Sequence, residues 1–430
     1  MAITWRAVAL TSAGVVAVAL VPVPGTILVW ALLVVAACAT DATLAASPRT
    51  VALRRETSGP VRLHEPARSR LTLTHTGTRR LRALVRDAWQ PSANAVANRH
   101  AVDLPPGESR RLDTALRPAR RGDLRADRVT VRTVGPLGLA GRQASFDVPG
   151  TVRVLPEFAS RRHLPSRLAR LREMDGRAAV QVRGAGTEFD SLREYVIGDD
   201  VRSIDWRASA RRADVVVRTW RPERDRRVLI VLDTSRTSAA RTADEPRLDS
   251  SIEAALLLAA LASRAGDRVE LLAFDRTVRA RVAGMSGTRL MPAVANALAG
   301  VEPSLVEADW PGIAAQVRDR LSQRALVVLL SALEPAAVEQ GLLGVVDQLA
   351  ARHQVVLASV RDPEVEHLRT GRADTSALFD AAAAERTELE RAAVALRLRG
   401  RGIEVVDALP EELAPTLADT YLALKAAGRL

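Results

Sequence analysis

Hydrophobic and polar positions divide this chain into four regimes. Residues 7–23, AVALTSAGVVAVALVPV, and 25–40, GTILVWALLVVAACAT, carry no charge. Each is near the lower limit of about 17 residues for a bilayer-spanning helix. Pro22, Pro24 and Gly25 interrupt the two runs with turn chemistry, so the pattern predicts a transmembrane helical hairpin over 1–47. A cleaved signal peptide accounts for one apolar run but not for the second; a buried core hairpin is the other alternative. Arg6 precedes the pair, and Arg49, Arg54 and Arg55 follow it. The positive-inside rule then places both ends in the cytoplasm, giving a two-pass plasma-membrane protein with cytoplasmic soluble domains.

Over 48–156 the apolar runs become short: Arg62-Leu63, 71–74, Leu81 to Val85, Val129 to Thr133, Val152 to Leu155. Turn signals such as Ser58-Gly59-Pro60, Pro105-Pro106-Gly107 and Gly135-Pro136 separate them. Short strands punctuated this way predict a small antiparallel β-sandwich. Residues 157–227 form a connector, basic over 157–183, where one short helix is expected from Leu164 to Met174. From 228 to 430, apolar strand candidates at 228–233, 268–274, 326–331, 354–360 and 403–406 alternate with helix candidates at 248–265, 288–299, 310–323, 335–351, 377–399 and 410–427. That alternation predicts an α/β domain with a mostly parallel sheet covered by helices on both faces.

Charge changes this picture little. The net charge is +12, almost wholly from Arg, with Lys425 the single lysine. The Arg residues alternate with Asp and Glu, as on solvated faces, and no nucleic-acid-binding signature accompanies them. A basic surface for anionic partners remains an alternative, without specific nucleic-acid recognition. Cys38 is the only cysteine and the six histidines are scattered, which excludes a disulfide framework and a Cys/His zinc site.

Candidate chemistry lies in 184–238. The buried-strand run Val228 to Leu232 ends in Asp233-Thr234-Ser235-Arg236-Thr237, and ligands of open α/β sheets bind at that end. Asp233, Ser235 and Thr237 at i, i+2, i+4 are oxygen donors suited to a hard cation such as Mg²⁺. Alternatively they cap the following loop and helix. The spacing resembles the D-x-S-x-S metal-ion-dependent adhesion site of von Willebrand factor type A domains, here D-x-S-x-T. That resemblance implies a von Willebrand factor A-like, Rossmann-like fold and a later Asp ligand. Ala332 stands there instead, after Ser331, with Glu334 two residues on, and Arg236 and Arg241 add positive charge that opposes a cation.

The stretch before it carries Gly184, Gly186, Glu188, Phe189, Leu192, Arg193, Tyr195, Gly198, Asp199, Asp200, Arg202, Asp205, Trp206, Ala208, Ala210 and Arg211. This is similar to the signature of the bacterial family called domain of unknown function 58. The resemblance extends to the hairpin, to Gly135-Pro136-Leu137-Gly138-Leu139, to Arg361-Asp362-Pro363 and to the tail from Tyr421 to Lys425. It implies association with MoxR-type AAA+ ATPases. By the residues alone, Gly198-Asp199-Asp200 is a turn and Asp205 caps a short helix carrying Trp206. The interleaved acids and Arg residues predict an ion-pair network rather than acid–base catalysis, because no His, Cys or obvious nucleophile accompanies them. The expectation is a non-enzymatic, membrane-anchored adaptor or assembly protein. It would meet lipid through 7–40 and a protein partner through Tyr195, Trp206, Arg236 and Ser238. The competing reading is a metal-assisted hydrolase using Asp233 with acids of 188–205.

Overall fold

The computed structural model describes residues 2–181, 188–212, 214–221, 226–242 and 245–430. They form a mixed α/β protein of two compact units, Met1–Glu157 and Phe158–Leu430. Gly184 and Gly186 lie outside the described residues.

The first unit opens with two apolar helices, α1 (Trp5–Leu20) and α2 (Pro24–Leu44). Pro24 occupies the first turn of α2, where its missing N–H is not needed. The helices pack closely where Gly14 accepts the Trp30 ring, whose indole N–H donates to the Leu10 carbonyl. Among the described residues α2 alone is long and apolar enough to cross a membrane; α1 is a shorter apolar helix. Ile27, Leu28, Val29, Leu32, Leu33 and Val35 of α2 are exposed.

Eight principal strands follow: β1 (Val51–Thr57), β2 (Ala67–His75), β3 (Leu81–Trp89), β4 (Arg99–Leu104), β5 (Ser109–Leu116), β6 (Gly122–Val134), β7 (Ala140–Phe146) and β8 (Thr151–Leu155). β1, β2 and β5 make one antiparallel sheet. In the other, β4 pairs β3, β3 pairs β6, and β6 pairs β7 and β8. Burial alternates along β2 and β3, the period-2 signature of strands with one covered face. Leu71 and Leu73 from one sheet share a core with Leu81, Val85, Val129 and Val131 from the other. Inside this unit Arg55 pairs with Asp87, both almost fully buried, and the Trp89 indole N–H and Ser69 hydroxyl also donate to Asp87.

The second unit begins with α3 (Leu164–Gln181), an antiparallel hairpin of β9 (Glu188–Glu194) and β10 (Val216–Arg221), and the intervening α4 (Trp206–Arg212). Its main body holds β11 (Arg227–Asp233), α5 (Arg247–Arg264), β12 (Arg268–Phe274), β13 (Val278–Val282), α6 (Leu290–Ala299), α7 (Trp310–Arg320), β14 (Leu326–Leu330), α8 (Leu343–Ala350), β15 (Gln354–Val360), α9 (Pro363–Arg369), α10 (Thr375–Gly400), β16 (Glu404–Ala408) and α11 (Pro410–Ala426). The sheet order is β13-β12-β11-β14-β15-β16. All pairings are parallel except the β12–β13 edge. That edge strand and α9 were not expected from sequence.

β11 is central and buried on both faces, with Val228, Ile230 and Leu232 in one core and Leu229 and Val231 in the other. Helices α5, α6 and α11 complete the first core; α7, α8 and α10 complete the second. At the opposite end from β11's C-terminus, Asp267 is buried and accepts hydrogen bonds from the Tyr421 hydroxyl (2.5 Å) and Lys425 Nζ (2.6 Å), fastening α11 to the start of β12.

Candidate functional site

Parallel pairing with β12 and β14 places Asp233 at the C-terminal rim of the sheet, opposite Phe274 and one residue past the Leu232–Leu330 pair. Asp233 is 2% exposed. Its Oδ1 accepts the Ser235 backbone N–H at 2.8 Å, and its Oδ2 accepts the Thr237 and Ser331 hydroxyls at 3.1 and 2.6 Å. Ser235 Oγ and Thr237 Oγ1 are 3.2 Å apart. The three residues singled out from sequence therefore converge, and Ser331 joins them from a strand 98 residues away. Hydrogen bonds thus link four oxygen-bearing side chains, one of them a carboxylate. A buried carboxylate without partners would be costly; here the N–H and hydroxyls satisfy it.

Two further residues hold this loop. Arg247, buried at the start of α5, donates from Nη1 to the Thr237 carbonyl (3.2 Å) and to Glu334 Oε1 (3.0 Å). Glu334, the carboxylate closest in sequence to the missing Asp, is thus engaged by a guanidinium. Asp275, fully buried just past β12, accepts from the Thr234 hydroxyl (3.2 Å), the Ser304 hydroxyl (2.6 Å) and Arg279 Nε (2.6 Å). Burial by itself would raise the Asp275 pKa. The bonds from Ser304, Arg279 and the backbone N–H groups of Arg276 and Thr277 outweigh it and hold the carboxyl well below the usual range. Sequence reasoning missed Asp275, although an acid directly after the apolar run of β12 repeats the pattern of Asp233 after β11.

At the surface of the same rim, Arg236 pairs with Glu307 at 2.8 Å, both more than half exposed, an ion pair worth little to stability. Ser238, expected to meet a partner, is instead buried, with its hydroxyl bonded to the Asp233 carbonyl (2.6 Å), whereas Arg236 is presented to solvent. Nearby, Arg276, Asp309, Trp310 and Gly341 line a shallow cleft of about 400 Å³.

The 188–221 module uses its acids locally. Asp199 accepts from Arg193 Nη2 (2.5 Å) and the Val196 N–H (3.0 Å), closing a turn at Gly198, whose φ of +110° favours glycine. Asp200 accepts the Arg202 N–H at 2.9 Å. Asp205 Oδ1 caps α4 through the N–H groups of Arg207 and Ala208, both at 3.0 Å, while Oδ2 meets Arg218 Nε at 2.8 Å. The Arg193 bond holds Asp199 below its ordinary carboxyl pKa, and the N-cap bond from Ala208 does the same for Asp205. Asp199, Asp200 and Asp205 are thus each engaged in a turn or a cap. The Glu188 side chain lies outside the described residues. Arg202 and Arg211 are exposed and Tyr195 is half-buried. Trp206 is 69% exposed and Ile197 96% exposed, so the braced turn and the capped helix present apolar side chains outward.

Residues 191–401, from β9 to the end of α10, match the family described as "Protein of unknown function DUF58". Among its relatives, "Uncharacterized protein Rv1480" of Mycobacterium tuberculosis is 28% identical over 185 residues, which are 42% of this chain and 57% of that protein. The match thus spans little more than half of the mycobacterial relative's length. "Uncharacterized protein YeaD" of Bacillus subtilis is 26% identical over 113 residues, 26% of this chain and 28% of that protein. Two solved structures are similar over parts of the chain. The CARDB domain of a Pyrococcus furiosus protein has 14% identity and a TM-score of 0.18, covering 24% of this chain and 91% of that one. Proximal thread matrix protein 1 from the mussel byssus has 12% identity and a TM-score of 0.26, covering 47% of each chain. TM-scores this low carry no argument about the fold.

Proposed function

We propose that this protein is a non-enzymatic adaptor, anchored in the plasma membrane by α1 and α2 with its larger units in the cytoplasm. Its second unit docks a protein partner through the C-terminal rim of the parallel sheet and through the 188–221 module. One observation carries the reading. The polar groups of the rim are buried and mutually satisfied and the acids of the module are spent on local turns and a cap, while Arg236, Trp206 and Ile197 face solvent. Groups spent on holding loops in shape, with aromatic and Arg side chains displayed, fit recognition better than turnover. The partner class comes from the family resemblance, a MoxR-type AAA+ ATPase. The sheet order and the helices on both faces support the von Willebrand factor A-like reading of the second unit.

Mg²⁺ belongs to this proposal. Asp233, Ser235, Thr237 and Ser331 supply only hard oxygen donors, a set that fits an ion which retains several waters. Bound there, the ion would offer a positive charge to a partner carboxylate. Ala332 supplies no second charge, and Arg247 occupies Glu334. Direct contacts from Arg236 therefore suffice in the absence of metal.

The test is binding of the purified ATPase to the detergent-solubilised full chain, compared with Arg236→Glu and Trp206→Ala variants. Both side chains are exposed, so melting temperatures should stay near wild type. Each variant should weaken binding roughly tenfold or more, the scale of an interface hot spot. Wild-type affinity in both would refute the proposed face.

A further inference from the structure

The Gly135–Leu139 loop, singled out in the sequence, has no place in the rim described above, yet it makes the most unusual contact of the first unit. Asp41 is fully buried one turn before the end of α2. Its carboxylate accepts three backbone N–H bonds, from Leu137 at 2.7 Å, Leu139 at 2.7 Å and Ala140 at 2.9 Å. Gly135 leaves no room for a side chain beside Asp41. The start of α1 closes the same joint: the Thr4 hydroxyl donates to the Gly138 carbonyl at 2.6 Å, the Thr4 N–H donates to Leu139, and Ala2 and Ile3 pair with Gly141 and Ala140 of β7.

This joint fixes a depth. Asp41 lies seven residues from Val34, the midpoint of α2, or about 10 Å along the axis at 1.5 Å per residue. Half the hydrocarbon thickness of a bilayer is about 15 Å. If α2 spans, Asp41 stands inside the membrane edge, where a carboxylate persists only with its hydrogen bonds made. The three N–H groups that make them belong to the loop, so the loop comes to the same depth. Its surroundings suit that position. Leu137 is 56% exposed, Trp5 75% and Leu44 49%, so apolar side chains are displayed at the base of the hairpin. Trp is enriched at the membrane–water interface. Exposed Arg6 lies against Gly138, and Arg79 donates to the Thr43 carbonyl at the end of α2, which places two cations at headgroup level.

Resting on the reading that α1 and α2 span the membrane, we infer that the Gly135–Leu139 loop is a third membrane-contacting element. Leu137 enters the interfacial layer of the bilayer and Arg6 and Arg79 meet lipid phosphates, with Asp41 as the latch that seats the sandwich on the lipid surface. The occupant of this patch is the bilayer itself, by continuity with the apolar helices that emerge from it.

The test uses the full chain in vesicles of phosphatidylcholine and phosphatidylglycerol. A nitroxide is attached to Leu137→Cys, Val29→Cys or Ile197→Cys, each in a Cys38→Ala background. Power saturation compares accessibility to oxygen, which concentrates in lipid, with a nickel chelate, which stays in water. Labels at 29 and 137 should favour oxygen, that at 29 more strongly, and the label at 197 should favour nickel. Adding Asp41→Ala should shift the 137 label toward nickel while leaving the 29 label unchanged. If 137 favours nickel as strongly as 197 while 29 favours oxygen, this inference is overturned and the spanning hairpin stands. Nickel-favoured labels at both 29 and 137 would overturn the hairpin and the inference together.

Discussion

Lys425→Met tests the fastening of α11 at the end of the sheet away from the rim. Lys425 Nζ lies 2.6 Å from Asp267 Oδ1, with side chains 11% and 1% exposed. Methionine keeps the length of the lysine stem and removes only the charge, leaving Asp267 buried with its bond from the Tyr421 hydroxyl. Removing one member of a buried pair costs about 3–5 kcal/mol. The surviving Tyr421 bond and the slight exposure of Lys425 place this case near the lower end, about 3 kcal/mol. In a unit of this size that lowers the melting temperature by about 6 °C. Calorimetry of the detergent-solubilised chain measures it. Adding Asp267→Asn to Lys425→Met should recover part of the loss, with a coupling of roughly 1–3 kcal/mol across the cycle. A shift below about 1 °C, or strictly additive effects, would show that the pair does not hold the helix and would refute the reasoning.

Three other outcomes are expected. Asp87→Asn strands the buried Arg55 guanidinium and should lower the melting transition of the first unit by an amount equivalent to about 3 kcal/mol or more, leaving the transition moved by Lys425→Met in place. Burial, and then the neighbouring Arg352, depress the pKa of His353 below its ordinary 6.5. Its unfolded form therefore binds more protons below that pH, and stability that is intact above about 6.5 should fall as the solution is acidified. A His353→Gln chain should lose that part of the slope in melting temperature against pH. Millimolar Mg²⁺ should raise the wild-type melting temperature by mass action; Asp233→Ala should abolish the rise and Ala332→Asp enlarge it. No rise in the wild type retires the metal and leaves Asp233 as the hub of a hydrogen-bonded loop.

What the sequence determined by itself is what depends on near neighbours. The uncharged runs through Leu20 and through Thr40 allow little besides apolar helices, and Pro22 and Pro24 part them. The turn at Gly198 and the Asp205 cap of α4 need only residues within a few positions, so they too were legible. In the second unit, strands buried on both faces are near-continuous apolar runs and stood out. Strands β1, β4, β5 and β7 did not, because polar and charged outward faces dilute their apolar positions, as in Ser109–Leu116. β13, Val-Arg-Ala-Arg-Val, is an edge strand that only its pairing to β12 makes regular. The tertiary structure alone decided which distant groups meet. Ser331 reaches Asp233 because β11 and β14 run side by side in parallel register. Asp41, which in the sequence merely ends an apolar run, is buried because the chain returns nearly a hundred residues later with three N–H groups for it. Local patterns write hydrophobic periodicity and caps into the chain; the partners of a buried charge are set by topology, which no window of residues contains.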